Sequence, residues 1–285
     1  MRQRSIALAA ASLLLVSCTL ISGAGDLVVG PDAADGGAVF AEAGAADADG
    51  APDVVAALDA ASDADAAVEG GTCDEPGLVA RWTFDEGGGA VVHDCSSFHH
   101  DGRVDGGNWG DGERDGGMAF DGGWVGFGNP PGLQLAGPLT TCAWIRPAAL
   151  PPADPARGYI IGKLLNPNGG GWRFATARSA ASAPVSIAFN VPDSDGGFHE
   201  TKGGTMALST WSHVCAVFSG TSESVYVNGV QVGTAAALGK ITLTNDEVRI
   251  GARADGLEPY DGSVDDVRIY ARALSVPEIA ALATP

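Results

Sequence analysis

Two adjacent carboxylates, Asp265 and Asp266, lie inside "YDGSVDDVRIYARALSVPEI" (Tyr260 to Ile279), a run that otherwise reads as a β-strand. Successive strand side chains point to opposite faces, which places Asp265 beside Val267 and Ile269, and Asp266 beside Val264, Arg268 and Tyr270. One acid is then expected on the core side, where an unpaired charge is costly. It needs a partner: a substrate, a metal ion or the protein's own backbone. Joint catalysis by the two is not expected. A retaining glycosidase holds its carboxyl groups about 5 Å apart across one bond, and these two point apart. Asp193 and Asp195 have the alternate spacing, but "PDSDGG" reads as a loop. No Gly-x-Ser-x-Gly elbow occurs, and no His-x-x-x-His pair offers a transition-metal site; His99, His100 and His199 read as solvated loop residues.

Sugar recognition needs an exposed aromatic platform with a few convergent polar groups. Of the six tryptophans, Trp82, Trp144 and Trp211 fall in strand patterns and are expected to be buried. Trp109 ("GGNWGDG"), Trp124 ("DGGWVGFG") and Trp172 ("GGGWRF") are flanked by glycines and are the candidate ligand-binding residues. Packing at the edge of the core is the competing reading for each.

The elements that must position these groups are short and β-patterned. "GLVARWTF" sets Leu78, Ala80, Trp82 and Phe84 on one face. "LTTCAWIRP" separates Leu139, Thr141, Ala143 and Ile145 from Thr140, Cys142, Trp144 and Arg146. "PVSIAFNV", "WSHVCAVF", "SVYVNGVQVG" and "EVRIG" continue the pattern, and Asn228-Gly229 marks a type I′ hairpin, whose central residues both need positive φ. Many short strands between turns predict an all-β sandwich or barrel. One short helix closes the chain: Ser275 and Glu278 make a capping box, with Leu274 and Ile279 as its hydrophobic staple.

The first seventy or so residues read differently. "MRQRSIALAAASLLLVSC" has a basic start, an apolar stretch and small residues, an export signal too short for a membrane span. Leu15-Val16-Ser17-Cys18 resembles the bacterial lipobox, which implies residues 1–17 as signal peptide and Cys18 as the lipidated N-terminus. Thr19 in place of Asp then implies the outer membrane or cell surface, with secretion or the periplasm as the alternative. Residues 18–72 are rich in Ala, Asp and Gly, with no Lys or Arg between Arg4 and Arg81. Such a segment cannot offset its ordering entropy by burial, and it is expected to be a disordered acidic linker. About fifty residues of coil reach on the order of 40 Å. The net charge of −19 argues against nucleic acid, whose phosphates need a basic face. Membrane attachment is expected through lipid only, and the protein is expected to be a monomer.

Cys73, Cys95, Cys142 and Cys215 remain for the folded region, residues 73–285. An exported chain turns an even set into disulfides, and spacing leaves three pairings open. None lies in a C-x-x-C, so zinc is not expected.

The stretches "GLVARWTFDEGGGAVVHDCSSFHHDG", "GGMAFDGGWVGFG", "LTTCAWIRP", "WSHVCAVFSGTSESVYVNGVQVG" and "VRIGARADGLEPYDGSVDDVRIYARALSVPEIAAL" together resemble the LamG-like jellyroll domain, a pentraxin-related member of the concanavalin A-like lectin/glucanase superfamily. The resemblance implies a two-sheet antiparallel jelly-roll sandwich with the last helix against it. It also implies the disulfides Cys142–Cys215 and Cys73–Cys95. The catalytic Glu-x-Asp-x-(x)-Glu run of the superfamily's glucanases is missing, so no enzyme activity is expected. The stretch holding Asp94 and Asp101 matches a family loop that lies near the penultimate strand. A structural calcium ion held by Asp94 and Asp265 is therefore one expectation; Asp265 bound only by backbone N–H groups of that loop is the other.

The functional expectation is a non-catalytic surface module for adhesion, recognising a glycan or an extracellular partner. The alternatives are a concanavalin A-like glycoside hydrolase and a purely structural envelope scaffold.

Overall fold

The computed structural model describes residues 73–151, 157–164, 169–178, 184–192, 199–237 and 239–285. The expected signal peptide, Cys18 lipidation and acidic linker lie outside the described residues, as do Asp193 and Asp195.

Two antiparallel sheets of eight strands stack face to face. The first is built from β1 (Leu78–Trp82), β4 (Asn108–Asp111), β5 (Gly116–Asp121), β7 (Leu139–Pro147), β12 (Ser212–Phe218), β13 (Ser222–Val227), β14 (Val230–Ala236) and β16 (Asp261–Tyr270). Its order is β14-β13-β12-β7-β16-β5-β4, with β1 also paired to β16. The second takes β2 (Val91–Val92), β3 (Gly102–Asp105), β6 (Trp124–Gly126), β8 (Arg157–Lys163), β9 (Trp172–Ala177), β10 (Val185–Asn190), β11 (Thr201–Met206) and β15 (Arg249–Ile250), in the order β11-β10-β9-β8-β15-β6-β3-β2. This is the expected jelly-roll sandwich.

The core lies between the sheets, where Trp82, Phe84, Phe120, Phe174, Phe189 and Phe218 are buried together. Alternation holds along β7: Leu139, Ala143 and Ile145 face that core, while Cys142 faces outward. It fails at the start of β1, where an irregularity between Leu78 and Ala80 sends Leu78 to the opposite side. There it joins Tyr226, Tyr270, Leu274 and Ile279 in a second apolar cluster on the outer face of the first sheet.

Helix α1 (Val276–Leu282) covers that cluster. The Ser275 N–H and hydroxyl both donate to Glu278 Oε2 at 2.7 Å, and Leu274 and Ile279 are both buried, so the box and staple form as expected. Asn228 and Gly229 have φ of 48° and 77° between the paired Val227 and Val230, the I′ hairpin. Cys142 and Cys215 are cross-strand partners in β7 and β12 and are disulfide-bonded, as are Cys73 and Cys95.

At the far edge the two sheets meet. A Cβ added to Gly203 of β11 would lie 2.2 Å from the Val232 carbonyl oxygen of β14, and one added to Gly233 would lie 2.5 Å from the Lys202 carbonyl. Only glycine allows the two backbones to approach so closely.

Candidate functional site

Asp94 opens the loop that leads back from β2. Its Oδ1 accepts the N–H groups of Arg81 and Ser96, both at 2.9 Å; its Oδ2 accepts the Ser96 hydroxyl and the His100 N–H, both at 2.8 Å. Its own N–H donates to Asp101 Oδ1 at 2.9 Å. Each carboxylate oxygen is thus occupied by two donors, and the residue is buried. A cation would have to displace N–H groups that the loop needs, so this donor set does not fit calcium.

Asp265 and Asp266 depart from strict alternation. The pairing of β16 with β7 shifts between Asp265 and Arg268, and Asp266 has φ of 45°: a β-bulge inserts one residue. Val264, Val267 and Ile269 all face the core. The expectation that Asp265 shares a face with Val267 and Ile269 is therefore corrected. Asp265 is opposite Trp144 of β7, whose neighbours Cys142 and Arg146 mark the outer side.

The two acids do different work there. Asp265 Oδ2 accepts the N–H groups of Glu113 and Arg114 at 2.9 and 2.7 Å, pinning the turn between β4 and β5. Backbone donors hold it, as one expectation had it, but they come from this turn rather than from the Asp94 loop. Burial pushes its carboxyl up to about 7 against those two donors, with Asp266 adding to the rise. Asp266 meets three guanidinium groups: Arg81 Nε at 2.8 Å, Arg114 Nη1 at 3.0 Å, and Arg268 through Nε at 3.0 Å and Nη2 at 2.8 Å. Burial works to raise its pKa, but Arg268 and Arg81 outweigh it and hold the carboxyl below the ordinary range.

Beside the bulge, side chains of the outer face fall into two cross-strand rows. Register places Ser263 opposite Arg146 and Asp265 opposite Trp144, and His213 opposite Trp144 on the other side. Trp211 extends the first row: the Arg146 guanidinium lies 5.0 Å over its ring and donates to Ser263 Oγ at 3.3 Å. His213 packs edge-on against Trp144, ring centres 5.3 Å apart. Burial pushes the His213 imidazole down to about 4, overriding the pull of Asp266, so it is neutral at physiological pH. Cys142, His213 and Cys215 bring ligand atoms within metal-binding distance of one another, but the two sulfurs are bonded to each other and neither is a thiolate.

The tryptophans are distributed differently from expectation. Trp172 is buried at 1% exposure in the core, which corrects its place among the candidate platforms. The two positive-φ glycines before it, Gly170 and Gly171, turn the ring inward beside Phe174 rather than free it. Trp109 is half-buried against the core, with Nε1 donating to the Gly89 carbonyl at 3.0 Å. Trp124 is half-buried with the Arg249 guanidinium 4.6 Å from its ring centre. Trp144 and Trp211 belong to the outer face of the first sheet. The parity that puts Trp144 with Cys142 and Arg146 was the available signal for it. A cavity of about 280 Å³ elsewhere is lined by Asp121, Leu150, Thr176, Pro259, Tyr260 and Asp261 among others; Asp121 and Asp261 are cross-strand partners, which makes it an acidic cleft.

The Laminin_G_3 family model, described as the concanavalin A-like lectin/glucanases superfamily, matches residues 120–280. No curated protein matches the chain. Among solved structures it is similar to domain 4 of AbnA, a GH43 extracellular arabinanase from Geobacillus stearothermophilus, in complex with arabinotriose; identity is 17%, coverage 74% of this chain and 100% of that one, TM-score 0.57. It is also similar to the binding domain of Botulinum neurotoxin DC, in complex with SialylT (14%, 73% and 50%, 0.54) and with rat synaptotagmin II (14%, 73% and 51%, 0.55). The chain spans about half the length of that toxin domain. At these identities the likeness establishes the fold.

Proposed function

Because the chain belongs to the concanavalin A-like lectin/glucanases superfamily, we propose that its jelly roll is a non-catalytic recognition module for a glycan or an extracellular protein. The observation that carries this reading is the match over the full length of a domain solved with arabinotriose. The toxin binding domain, about half of which this chain spans, was solved with SialylT and with rat synaptotagmin II, which keeps both partner classes in view. The carboxylates that the sequence marks out also support it: Asp94 and Asp266 are bound on both oxygens by donors of the protein itself, and Asp265 on one. Catalysis needs such groups free to meet a substrate. The acidic cleft and the net charge of −19 favour neutral or cationic ligands over anionic ones.

In this reading the module is lipid-anchored through Cys18 at the bacterial outer membrane or cell surface, and residues 18–72 hold it away from the membrane. The purified chain, probed on a glycan array with calcium and with a chelator, is expected to bind a restricted set of neutral glycans equally in both. Release of reducing sugar from a bound glycan would overturn the non-catalytic part. Failure to retain any glycan would remove the glycan arm and leave a protein receptor as the target.

A further inference from the structure

Asp121 and Asp261 stand directly opposite one another on β5 and β16. Both are exposed, and among the described residues neither side chain has a hydrogen-bond or ion-pair partner. Like charges in opposed strand positions are destabilising. Arg146, one row away across β16, is turned to Ser263 Oγ at 3.3 Å and to the Trp211 ring, and it pairs with neither acid. The two carboxylates stand at the rim of the cavity of about 280 Å³. Leu150 and Pro151, after β7, and Pro259, before β16, give it an apolar wall, and the buried Thr176 of β9 lines it from the second sheet.

Size and lining together select the occupant. Small-molecule pockets run from about 300 to 1,000 Å³, so this one has room for a single side chain and not for an oligosaccharide. An anion would meet two carboxylates. Calcium takes six to eight oxygens, whereas much of this lining is Ala, Leu and Pro. A lysine side chain matches both parts of the cleft. Its aliphatic stem lies along apolar surface while its charged head stays at the rim. The ammonium is a compact charge with three donors, enough to bridge two carboxylates, while the planar fork of a guanidinium matches a single one. We propose that the cleft between Asp121 and Asp261 is a docking pocket for a lysine side chain of an extracellular protein partner.

Such a pocket presupposes the recognition reading and narrows its protein arm to partners that present an exposed lysine. The net charge of −19 acts in the same direction, drawing basic surfaces toward the domain.

The full chain labelled with ¹⁵N tests the pocket, with n-butylammonium standing in for the lysine side chain and n-butanol as its neutral counterpart. The backbone amides of Gly122, Gly158 and Thr176 are expected to shift saturably with n-butylammonium. It should bind about tenfold more tightly than n-butanol, the gain that two exposed ion pairs can supply. Asp121→Asn combined with Asp261→Asn should remove that preference and leave the rest of the spectrum in place. The comparison of the two probes on the parent needs no variant, so it stands even if the double variant does not fold. Equal responses to the two probes, or none to either, overturn the pocket. So does calcium, if it moves the same amides and blocks n-butylammonium. A glycan bound on the array without any response to n-butylammonium sinks the pocket alone. A selective n-butylammonium response with no glycan retained upholds the pocket and removes only the glycan arm of the recognition reading.

Discussion

Arg81 and Asp266 meet at 2.8 Å, although 185 positions separate them in sequence. The backbone N–H of Arg81 is at the same time bound by Asp94 Oδ1. One residue of the first strand is therefore fixed at its main chain by the loop that follows and at its side chain by the last strand. The domain's two ends are joined through that residue.

Removing the acid end of this pair should be severe. Asp266→Ala leaves the buried Arg268 and the partly buried Arg81 and Arg114 without their shared carboxylate. Breaking a buried ion pair by deleting one partner typically costs about 3–5 kcal/mol, and a loss of that order is expected in urea denaturation at neutral pH. Because the folded pKa of Asp266 is depressed, its contribution is present above the unfolded value and fades as pH falls through the folded one. A variant that unfolds at the same urea concentration as the parent would sink the argument.

Glu223 should produce the opposite pH dependence. It is fully buried, with Oε1 accepting the Val191 N–H and Oε2 the Thr201 hydroxyl, both at 3.0 Å. Burial pushes its carboxyl up to about 7 in spite of these donors. The folded pKa lies above the unfolded one, so the stability linked to it is complete below about 4.5 and is lost as pH rises through about 7. Glu223→Gln is expected to gain about 1–3 kcal/mol at pH 8 and almost nothing at pH 4. Denaturation curves at the two pH values check this, and an equal effect at both would count against it.

The two disulfides should differ in worth. The loop closed by Cys142–Cys215 spans 73 positions and that closed by Cys73–Cys95 spans 22. Chain-entropy estimates give about 4–5 kcal/mol for the longer and about 3 kcal/mol for the shorter. Paired Cys→Ser variants compared by guanidinium denaturation should rank in that order; the reverse ranking would mean native-state packing, not loop length, decides.

Calcium should leave the melting temperature unchanged. Asp94→Ala removes the acceptor of four hydrogen bonds and is expected to cost at least about 3 kcal/mol, since bonds to a charged group contribute about 1.5–3 kcal/mol each. That cost should be equal in calcium and in chelator. A calcium-induced rise in the parent that vanishes in Asp94→Ala would establish a metal site in this loop.

Much of the fold was legible because it rests on local chemistry. Asn228-Gly229 needs no tertiary context to make its hairpin, nor Ser275 and Glu278 to start the helix. The outer face of β16 was not legible, because alternation assumes one residue per position and the bulge at Asp266 inserts another. Nothing in "VDDVRI" announces a positive φ at a residue other than glycine. The tryptophans failed for a related reason. Glycines beside Trp172 mark a turn but not the side to which the turn sends the ring. Trp144 is buried as expected, at 4% exposure, but on the outer face, beside Cys142 and Arg146, where alternation along β7 puts it.

The glycine seam between β11 and β14 closes one flank of the sandwich, leaving little room for an incoming strand between Gly203 and Gly233. The first sheet's other flank ends at β4, "NWGD", a four-residue strand with Asn108, Gly110 and Asp111 exposed. Short and charged edges resist pairing with another chain. Many copies crowded side by side would thus have few open strands through which to polymerise, and Gly203→Val, by prising the seam apart, is the change that would turn a well-behaved population into a sticky one.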